Sequence, residues 1–180
     1  MVHESDKSFL QLFRRAAEEF WLRSGGLLQE QIMVQLNAEI QGEHICCRDR
    51  SGYSCGPVAV LTFLLQTAMP KGGATALAQV AGTEATRGTS FSGIVRALGG
   101  CADRLALPVH CSIQDLQRVS LPVIAAITNR RGRHFIVIQA FLPGNQLLIA
   151  DPAKGMLKIS MQKFAKEMWT GEIVLVEDES

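Results

Sequence analysis

Three residues of this 180-residue chain carry the side chains needed for nucleophilic catalysis, namely Cys55, His134 and Asp151. A cysteine attacks as its thiolate, an imidazole takes up and returns a proton, and a carboxylate holds the imidazole in one tautomer. Ser54 is a good N-cap and Pro57 is tolerated in a first helical turn, so a helix is predicted to begin at Cys55. The unpaired amides at that helix end would stabilise a thiolate. Considered alone, Cys55 could also be a small buried hydrophobic residue.

His134 and Asp151 each lie at the edge of an apolar strand pattern. His134 precedes Phe135–Ile138, and Asp151 follows Leu147–Ala150. Pro143-Gly144-Asn145 predicts a turn that joins these strands as an antiparallel hairpin, which places the start of the first strand opposite the end of the second. Each residue alone has a plainer interpretation, as a strand-end histidine or a turn-forming aspartate. Together with a cysteine at a helix N-terminus, the pair predicts a catalytic triad.

The elements that must position these residues are helices in the first half of the chain and strands in the second. The helix that begins at Cys55 is apolar nearly all round to about Ala68, which predicts that it is buried. Shorter helices are predicted at 75–81 and from 90 to an end between 99 and 105. Aliphatic runs separated by turn residues predict antiparallel strands at 121–128, 134–142, 146–150, 156–160 and 172–177, with a helix at 161–169. This order is typical of an α+β fold.

The first 45 residues are predicted to form an extension that packs on a domain spanning 46–180. Within the extension, Phe9 to Leu22 has the apolar spacing of a helix and follows a capping box. Ile32 to Ile40 alternates between apolar and polar residues, which favours a half-buried strand.

Composition and charge argue against several classes of function. The chain is 47% apolar and has a net charge of +1, so binding to nucleic acid or anionic lipid is not expected. The apolar runs are too short to span a bilayer, and the charged residues within 1–20 argue against a secretory signal. The five cysteines show neither paired Cys-x-x-Cys spacing nor a Cys/His metal pattern, so reduced thiols and no metal or cofactor are expected. A soluble, cytoplasmic protein is predicted.

Several short motifs between about Arg48 and Leu175 follow one another in the order and spacing of a known family. They are Tyr53-Ser54-Cys55-Gly56-Pro57, Gly88-Thr89-Ser90, Leu121-Pro122-Val123-Ile124-Ala125, His134-Phe135-Ile136-Val137, Asp151-Pro152-Ala153-Lys154-Gly155 and Phe164 with Trp169-Thr170-Gly171. On these motifs the chain resembles the papain-like cysteine peptidases that remove double-glycine leaders from bacteriocins, usually as the N-terminal domain of peptide-exporting ABC transporters.

The resemblance implies a papain-like fold and hydrolysis of the peptide bond after a Gly-Gly pair in a leader or precursor peptide. Carried over to this sequence, it makes Cys55 the nucleophile, His134 the base and acid, and Asp151 the orienting residue. The implied partner is a precursor with a double-glycine leader, bound as an amphipathic helix in an apolar groove. A membrane transporter is a further candidate partner.

One position departs from the family pattern. The family has a glutamine six residues before the cysteine, and its side-chain amide stabilises the oxyanion; this chain has Asp49 there. A carboxylate cannot donate a hydrogen bond, so a donor worth roughly 3 to 4 kcal/mol is missing while the backbone N–H of Cys55 remains. Three alternatives stay open. Arg48 could substitute as the donor, Arg50 could do so, or Asp49 could point away from the site.

Two other functions are compatible with the same motifs. A module of this fold could bind a leader peptide or secretion partner while its chemistry is weakened, as the change at Asp49 permits. The same triad could also carry out another acyl transfer, such as deamidation or transglutamination.

Overall fold

The computed structural model describes residues 39–49, 51–67, 74–102 and 105–177. The helix predicted at 9–22, most of the strand predicted at 32–40, and Arg50 lie outside the described residues. The predicted boundary between an N-terminal extension and a domain from residue 46 stays a prediction.

Most of the second half of the chain forms one six-stranded antiparallel sheet. In order across the sheet, its strands are β3 (Ala106–His110), β8 (Trp169–Val176), β4 (Val123–Asn129), β5 (Gly132–Leu142), β6 (Gln146–Asp151) and β7 (Gly155–Ser160). A separate antiparallel hairpin consists of β1 (Glu39–Gln41) and β2 (His44–Cys46).

Within the described residues, three α-helices precede the sheet along the chain, and a fourth lies between strands β7 and β8. They are α1 (Cys55–Thr67), α2 (Ala74–Ala81), α3 (Phe91–Ala102) and α4 (Met161–Glu167). The predicted α+β fold is therefore confirmed. No helix in the described ranges is both long enough and apolar enough to cross a membrane.

The sheet separates two hydrophobic cores, and β5 contributes alternate residues to both. Phe135 and Val137 pack in the core shared with α1, α2 and α3, whereas Ile136 and Ile138 pack in the core that α4 covers. Because both faces of β5 are buried, its sequence is a continuous apolar run rather than an alternating one. The residue before that run, His134, is the first buried residue of β5.

Helix α3 ends within the predicted range, and two other features differ from the prediction. Helix α3 continues through Gly99 and Gly100 to Ala102, because Ile94, Ala97 and Leu98 on its apolar face are fully buried and this packing outweighs the low helix propensity of glycine. Strand β8 begins at Trp169, where the pattern predicted the end of a helix. Strand β3 was not predicted; it contains Pro108 and lies at the sheet edge, where a residue without an N–H is tolerated.

Candidate active site

The structure brings His134 and Asp151 together. The Nε2 atom of His134 lies 2.7 Å from Oδ1 of Asp151, and the two residues are 7% and 2% exposed. Their adjacency follows from the register of β5 and β6, in which Val137 pairs with Ala150. Asn145, in the turn between the strands, has a φ of 56°, a left-handed conformation that asparagine tolerates better than most residues.

The turn after β6 keeps Asp151 ionised. Its Oδ1 also accepts hydrogen bonds from the backbone N–H groups of Ala153 and Lys154, at 2.8 and 3.3 Å. Burial alone would raise the pKa of Asp151, but its hydrogen bond and charge interaction with His134 and these two amides outweigh it, so the pKa is lowered. The turn-forming and the orienting interpretations of this aspartate are therefore compatible.

His134 is the second partner of this buried pair. Burial acts against the imidazolium and lowers the pKa of His134, but hydrogen bonds and charge interactions with Asp151 and Cys55 prevail and raise it to about 9. Since Nε2 faces Asp151, Nδ1 is the ring nitrogen left for the thiol of Cys55. The imidazole thus lies between a carboxylate and a thiol, with its protonated form favoured.

Cys55 is the first residue of α1, as predicted, and its side chain is half-buried. The N–H of Val58 donates to the carbonyl of Ser54 at 3.0 Å, which closes the first helical turn after the cysteine. The next residue, Gly56, lies so close to Thr89 that a Cβ there would come within 2.6 Å of the threonine Cβ. Only glycine allows the loop before α3 to approach the helix end this closely.

Asp49 lies in the segment that leads to Cys55, and its carboxylate acts as an acceptor. Oδ1 accepts from the N–H of Ser51 at 2.9 Å and from its hydroxyl at 2.7 Å, and Oδ2 accepts from the N–H of Ser54 at 3.0 Å. These bonds hold the 51–54 loop in the form of an Asx turn. The side chain therefore organises the loop and offers no donor of its own.

Arg48, a candidate donor to the oxyanion, forms a hydrogen bond with the turn that holds Asp151. Its Nη2 donates to the carbonyl of Ala153 at 2.8 Å, and the backbone N–H of Asp49 donates to the carbonyl of Pro152 at 2.7 Å. The segment before the cysteine is thus tied to the turn after β6. The catalytic roles of Cys55, His134 and Asp151 and the oxyanion role of position 49 stay predictions.

A cleft of about 490 Å³ opens beside the thiol. Its lining comprises Cys55, Gly82, Glu84, Arg87, Gly88, Thr89, Ser90, Arg96, Arg133 and Phe135. Cys55, Gly88, Thr89, Ser90 and Phe135 belong to motifs named from the sequence, whereas Gly82, Glu84, Arg87, Arg96 and Arg133 do not, because they come from separate elements with no common spacing. Within the described ranges, no three His, Cys, Asp or Glu side chains are grouped so that they could hold a metal ion.

Comparison with known sequences identifies related proteins. The peptidase C39 family profile matches residues 45–180. An uncharacterized protein of Methanothermobacter marburgensis is 33% identical over 138 residues, which cover 77% of this chain and 92% of that protein. The lactococcin-G-processing and transport ATP-binding protein LagD of Lactococcus lactis is 37% identical over 57 residues, which cover 31% of this chain and 8% of LagD.

Solved structures share the fold. The peptidase domain of Streptococcus ComA, a bi-functional ABC transporter involved in a quorum sensing pathway, is similar with a TM-score of 0.63 and 21% identity, covering 73% of this chain and 96% of that domain. A double glycine motif protease from an AMS/PCAT transporter, in complex with the leader peptide, has a TM-score of 0.62 and 19% identity, covering 79% and 92%. The profile match, which covers residues 45–180, shows that the chain belongs to the peptidase C39 family.

Proposed function

We propose that this protein is a cysteine peptidase that hydrolyses the peptide bond after a Gly-Gly pair at the end of a leader sequence. The observation that carries the proposal is the linked arrangement of Cys55, His134 and Asp151, with Cys55 in the wall of an open cleft. Membership of the C39 family supports the same reaction class. The protease solved with a leader peptide supports the substrate class.

The proposed reaction follows from the protonation states at the site. The thiolate of Cys55 attacks the carbonyl carbon of the second glycine, and the resulting tetrahedral oxyanion collapses as the His134 imidazolium donates its proton to the departing amine. This step leaves the leader bound to Cys55 as a thioester. Neutral His134 then takes a proton from water as the water attacks the thioester, and collapse releases the leader carboxylate and the thiolate.

Asp151 contributes by holding His134 in one orientation and by stabilising its charged form. The proton on Nε2 of His134 stays on the ring and does not transfer to Asp151, because the amides of Ala153 and Lys154 stabilise the Asp151 carboxylate. Nδ1 is consequently the nitrogen that exchanges the mobile proton with thiol, amine and water.

Stabilisation of the oxyanion is the weakest feature of this proposed site. The backbone N–H of Cys55 is one donor at the start of α1, where the helix dipole also favours negative charge. Asp49 accepts hydrogen bonds only, and Arg48 is held through Nη2 at the carbonyl of Ala153, in the turn after β6 rather than at Cys55. We therefore expect slower turnover than in a site with an additional side-chain donor, by on the order of a hundredfold.

The substrate we propose is a precursor peptide met in the cytoplasm before export, and a peptide transporter is a candidate partner. LagD is by its name a processing and transport protein, which supports this association. The close approach of Thr89 to Gly56 narrows the space beside Cys55 and favours residues without side chains next to the scissile bond.

The test compares two synthetic leader peptides that differ only in the pair before the cleavage site, Gly-Gly or Ala-Ala. We expect mass spectrometry to show cleavage after Gly-Gly by the parent protein and none by Cys55→Ala. Absence of cleavage together with tight binding of the Gly-Gly peptide would favour a leader-binding module, which the acceptor-only carboxylate of Asp49 makes the second candidate.

A thiol-alkylation experiment tests the pairing of His134 with Cys55 without a substrate. An imidazolium beside a cysteine stabilises the reactive thiolate in general, so we expect alkylation of Cys55 near pH 6 to depend on His134. His134→Ala should slow it there by about tenfold or more. Identical pH profiles for the two proteins would show that these side chains do not act as a pair.

A further inference from the structure

We propose that the cleft beside Cys55 selects peptides that carry acidic side chains within a few residues of the scissile bond. This inference rests on the proposed peptidase function and adds a charge preference to it. Its basis is a concentration of arginines at the cleft of a chain whose overall net charge is only +1.

The ionisable lining of the cleft, apart from Cys55, is mainly cationic. It consists of Glu84, Arg87, Arg96 and Arg133. A concave site lined by one sign of charge concentrates the field and attracts ligand groups of the opposite sign. Arginine also matches the planar carboxylate with two parallel N–H donors, which gives it geometric selectivity for acidic side chains.

Arg133 is held in place next to the proposed catalytic histidine. Its Nη2 donates to both carboxylate oxygens of Glu172, at 2.9 and 2.7 Å, and its guanidinium lies 5.5 Å from the ring centroid of Phe91. Its hydrogen bonds to described residues involve only Nη2, so Nη1 and Nε are left to donate to a ligand. The side chain remains 48% exposed.

Arg96 and Arg87 approach the cleft from the helical side. Arg96 donates from Nη2 to the carbonyl of Ala81 at 3.0 Å, which anchors the guanidinium at the end of α2. Arg87 forms an ion pair of 3.5 Å with Glu84, but its side chain is 84% exposed. An exposed pair of this kind contributes little to stability, so Arg87 can exchange Glu84 for a ligand carboxylate at little cost.

The turn between β4 and β5 adds two further positive charges. Arg130 and Arg131 are exposed at this turn, and the backbone N–H of Arg131 donates to the side chain of Asn129 at 2.8 Å, which fixes the turn. Neither arginine has an ion-pair partner in the part of the chain that the structure describes. The cleft lining itself carries three arginines and one glutamate, Glu84, while Glu172 pairs with Arg133 from outside the lining.

A peptide with carboxylates near the scissile bond fits this arrangement better than a neutral one. An extended chain advances about 3.3 Å per residue, so an acidic residue within about four positions of the cleavage site stays near the cleft. Several guanidinium groups around one ligand carboxylate together change its affinity by a factor that a binding assay resolves. Nucleic acid would also be attracted by arginines, but the cleft opens at a thiol suited to acyl chemistry.

The experiment measures peptide binding to the Cys55→Ala variant by fluorescence anisotropy, so that it does not depend on cleavage. Two labelled Gly-Gly peptides of equal length carry either two Glu or two Gln within four residues of the glycines. We expect the Glu peptide to bind about tenfold more tightly at low ionic strength. This difference in affinity should become smaller as the salt concentration is raised to about 1 M, where the Debye length is only about 3 Å.

Arginine variants in the same background locate the effect. Arg133→Gln and Arg87→Gln should each weaken binding of the Glu peptide by about threefold or more and leave that of the Gln peptide nearly unchanged. Lys163→Gln is the matched control, because it removes one exposed positive charge on α4, which covers the other face of the sheet. It should change neither affinity.

Equal affinity for the two peptides would overturn the inference. So would an equal loss of affinity for both peptides in the arginine variants, or tighter binding of a short single-stranded DNA than of the Glu peptide. Its failure is distinguishable from failure of the proposed function. Cleavage of both peptides at equal rates by the parent would leave a peptidase without a charge preference. A charge-dependent affinity without cleavage would leave a binding cleft without the chemistry.

Discussion

The two halves of the candidate site are positioned by different kinds of structure. His134 and Asp151 lie on paired strands of the central sheet and are almost completely buried. Cys55 is half-buried, and the loop before it is held by the side chains of Asp49 and Ser51. The sheet half is fixed by strand register and two hydrophobic cores, whereas the loop half depends on a few local hydrogen bonds. Small changes should therefore affect the nucleophile side without unfolding the protein.

The two halves meet at one segment, which lies between β2 and the loop. Cys46 donates from Sγ to the carbonyl of Asp151 at 3.5 Å, and the N–H of Asp49 donates to the carbonyl of Pro152 at 2.7 Å. Burial raises the pKa of the Cys46 thiol to about 12, so this thiol stays protonated and serves as a donor. The backbone that leads to the nucleophile is thus attached to the turn that holds the carboxylate.

The largest effect is expected for Cys55→Ala. If this thiol is the nucleophile, hydrolysis should fall by about 10⁴-fold or more. The free energy of unfolding should change by less than about 1 kcal/mol, because the side chain is small and half-buried. Turnover assays and thermal unfolding check the two halves of this prediction. Undiminished turnover would remove Cys55 from the mechanism.

Asp151→Asn should have the next largest effect and should break the sheet half of the site. Without the carboxylate, the hydrogen bond and charge that raise the pKa of His134 are lost, and burial then lowers it. Turnover should fall by roughly 10² to 10⁴-fold. NMR titration of the His134 ring should show a pKa well below the parent value of about 9.

The same variant should change how stability depends on pH. The pKa of His134 is raised above its ordinary value of 6.5, so its interactions stabilise the parent fully below about pH 6.5 and progressively less as the pH rises through about 9. Asp151 has a lowered pKa, so its contribution is present above about pH 4 and is lost in acid. The difference in thermal stability between parent and Asp151→Asn should be largest between these limits and shrink as the pH rises through about 9, where only the part due to the amides of Ala153 and Lys154 remains. Parallel curves across this range would contradict the pairing.

Gly56→Ala should disturb the nucleophile half through packing alone. The new methyl group would lie 2.6 Å from Cβ of Thr89, so the start of α1 and the loop before α3 must move apart, at a cost of about 1 to 3 kcal/mol in unfolding free energy. Turnover should fall as well, since Cys55 is the adjacent residue. Gly99→Ala is the matched control, because no atom lies within 4 Å of its added Cβ, and alanine should stabilise helix α3 by up to about 1 kcal/mol. Equal stability changes at both positions would show that the contact with Thr89 is unimportant.

The difference between the halves also explains what sequence reasoning could predict. The contact of His134 with Asp151 follows from strand periodicity and a Pro-Gly-Asn turn, both of which are local signals with strong geometric consequences. The helix start at Cys55 follows equally from Ser54 and Pro57.

Other features have weak sequence signals or none. Strand β3 escapes prediction because Leu105 before it and Leu107 within it are more than half exposed, so its residues do not alternate as in a half-buried strand. The arginines of the cleft come from separate elements, and only the tertiary fold brings them together. The hydrogen bond of Asp49 to the N–H of Ser51 has a recognisable signal, an aspartate followed two residues later by serine, which is typical of an Asx turn.

The smallest effect, and the one that best separates two explanations of the loop, is expected for substitutions of Asp49. If position 49 serves the oxyanion, Asp49→Gln should add an N–H donor and raise turnover about a hundredfold. The hydrogen bonds of the carboxylate to Ser51 and Ser54 predict the opposite. A glutamine has a single acceptor oxygen on a longer side chain, so at least one of these three bonds is lost, at about 0.5 to 1.5 kcal/mol each. We therefore expect turnover to fall by about three- to tenfold.

Asp49→Asn and Asp115→Asn complete this test. Asparagine keeps the length and one acceptor oxygen at position 49, so Asp49→Asn should retain more activity than Asp49→Gln. Asp115 also accepts a hydrogen bond from a serine hydroxyl, that of Ser112 at 2.8 Å, but in a turn remote from the cleft, and its substitution should leave turnover unchanged. Alkylation of Cys55 and amide exchange at Ser51 and Ser54 report on the loop without substrate, and both should increase in Asp49→Gln if the loop loosens. Faster turnover with unchanged amide exchange would instead assign position 49 to the oxyanion. Residue 49 would then act on the chemical step rather than on the structure of the loop before Cys55.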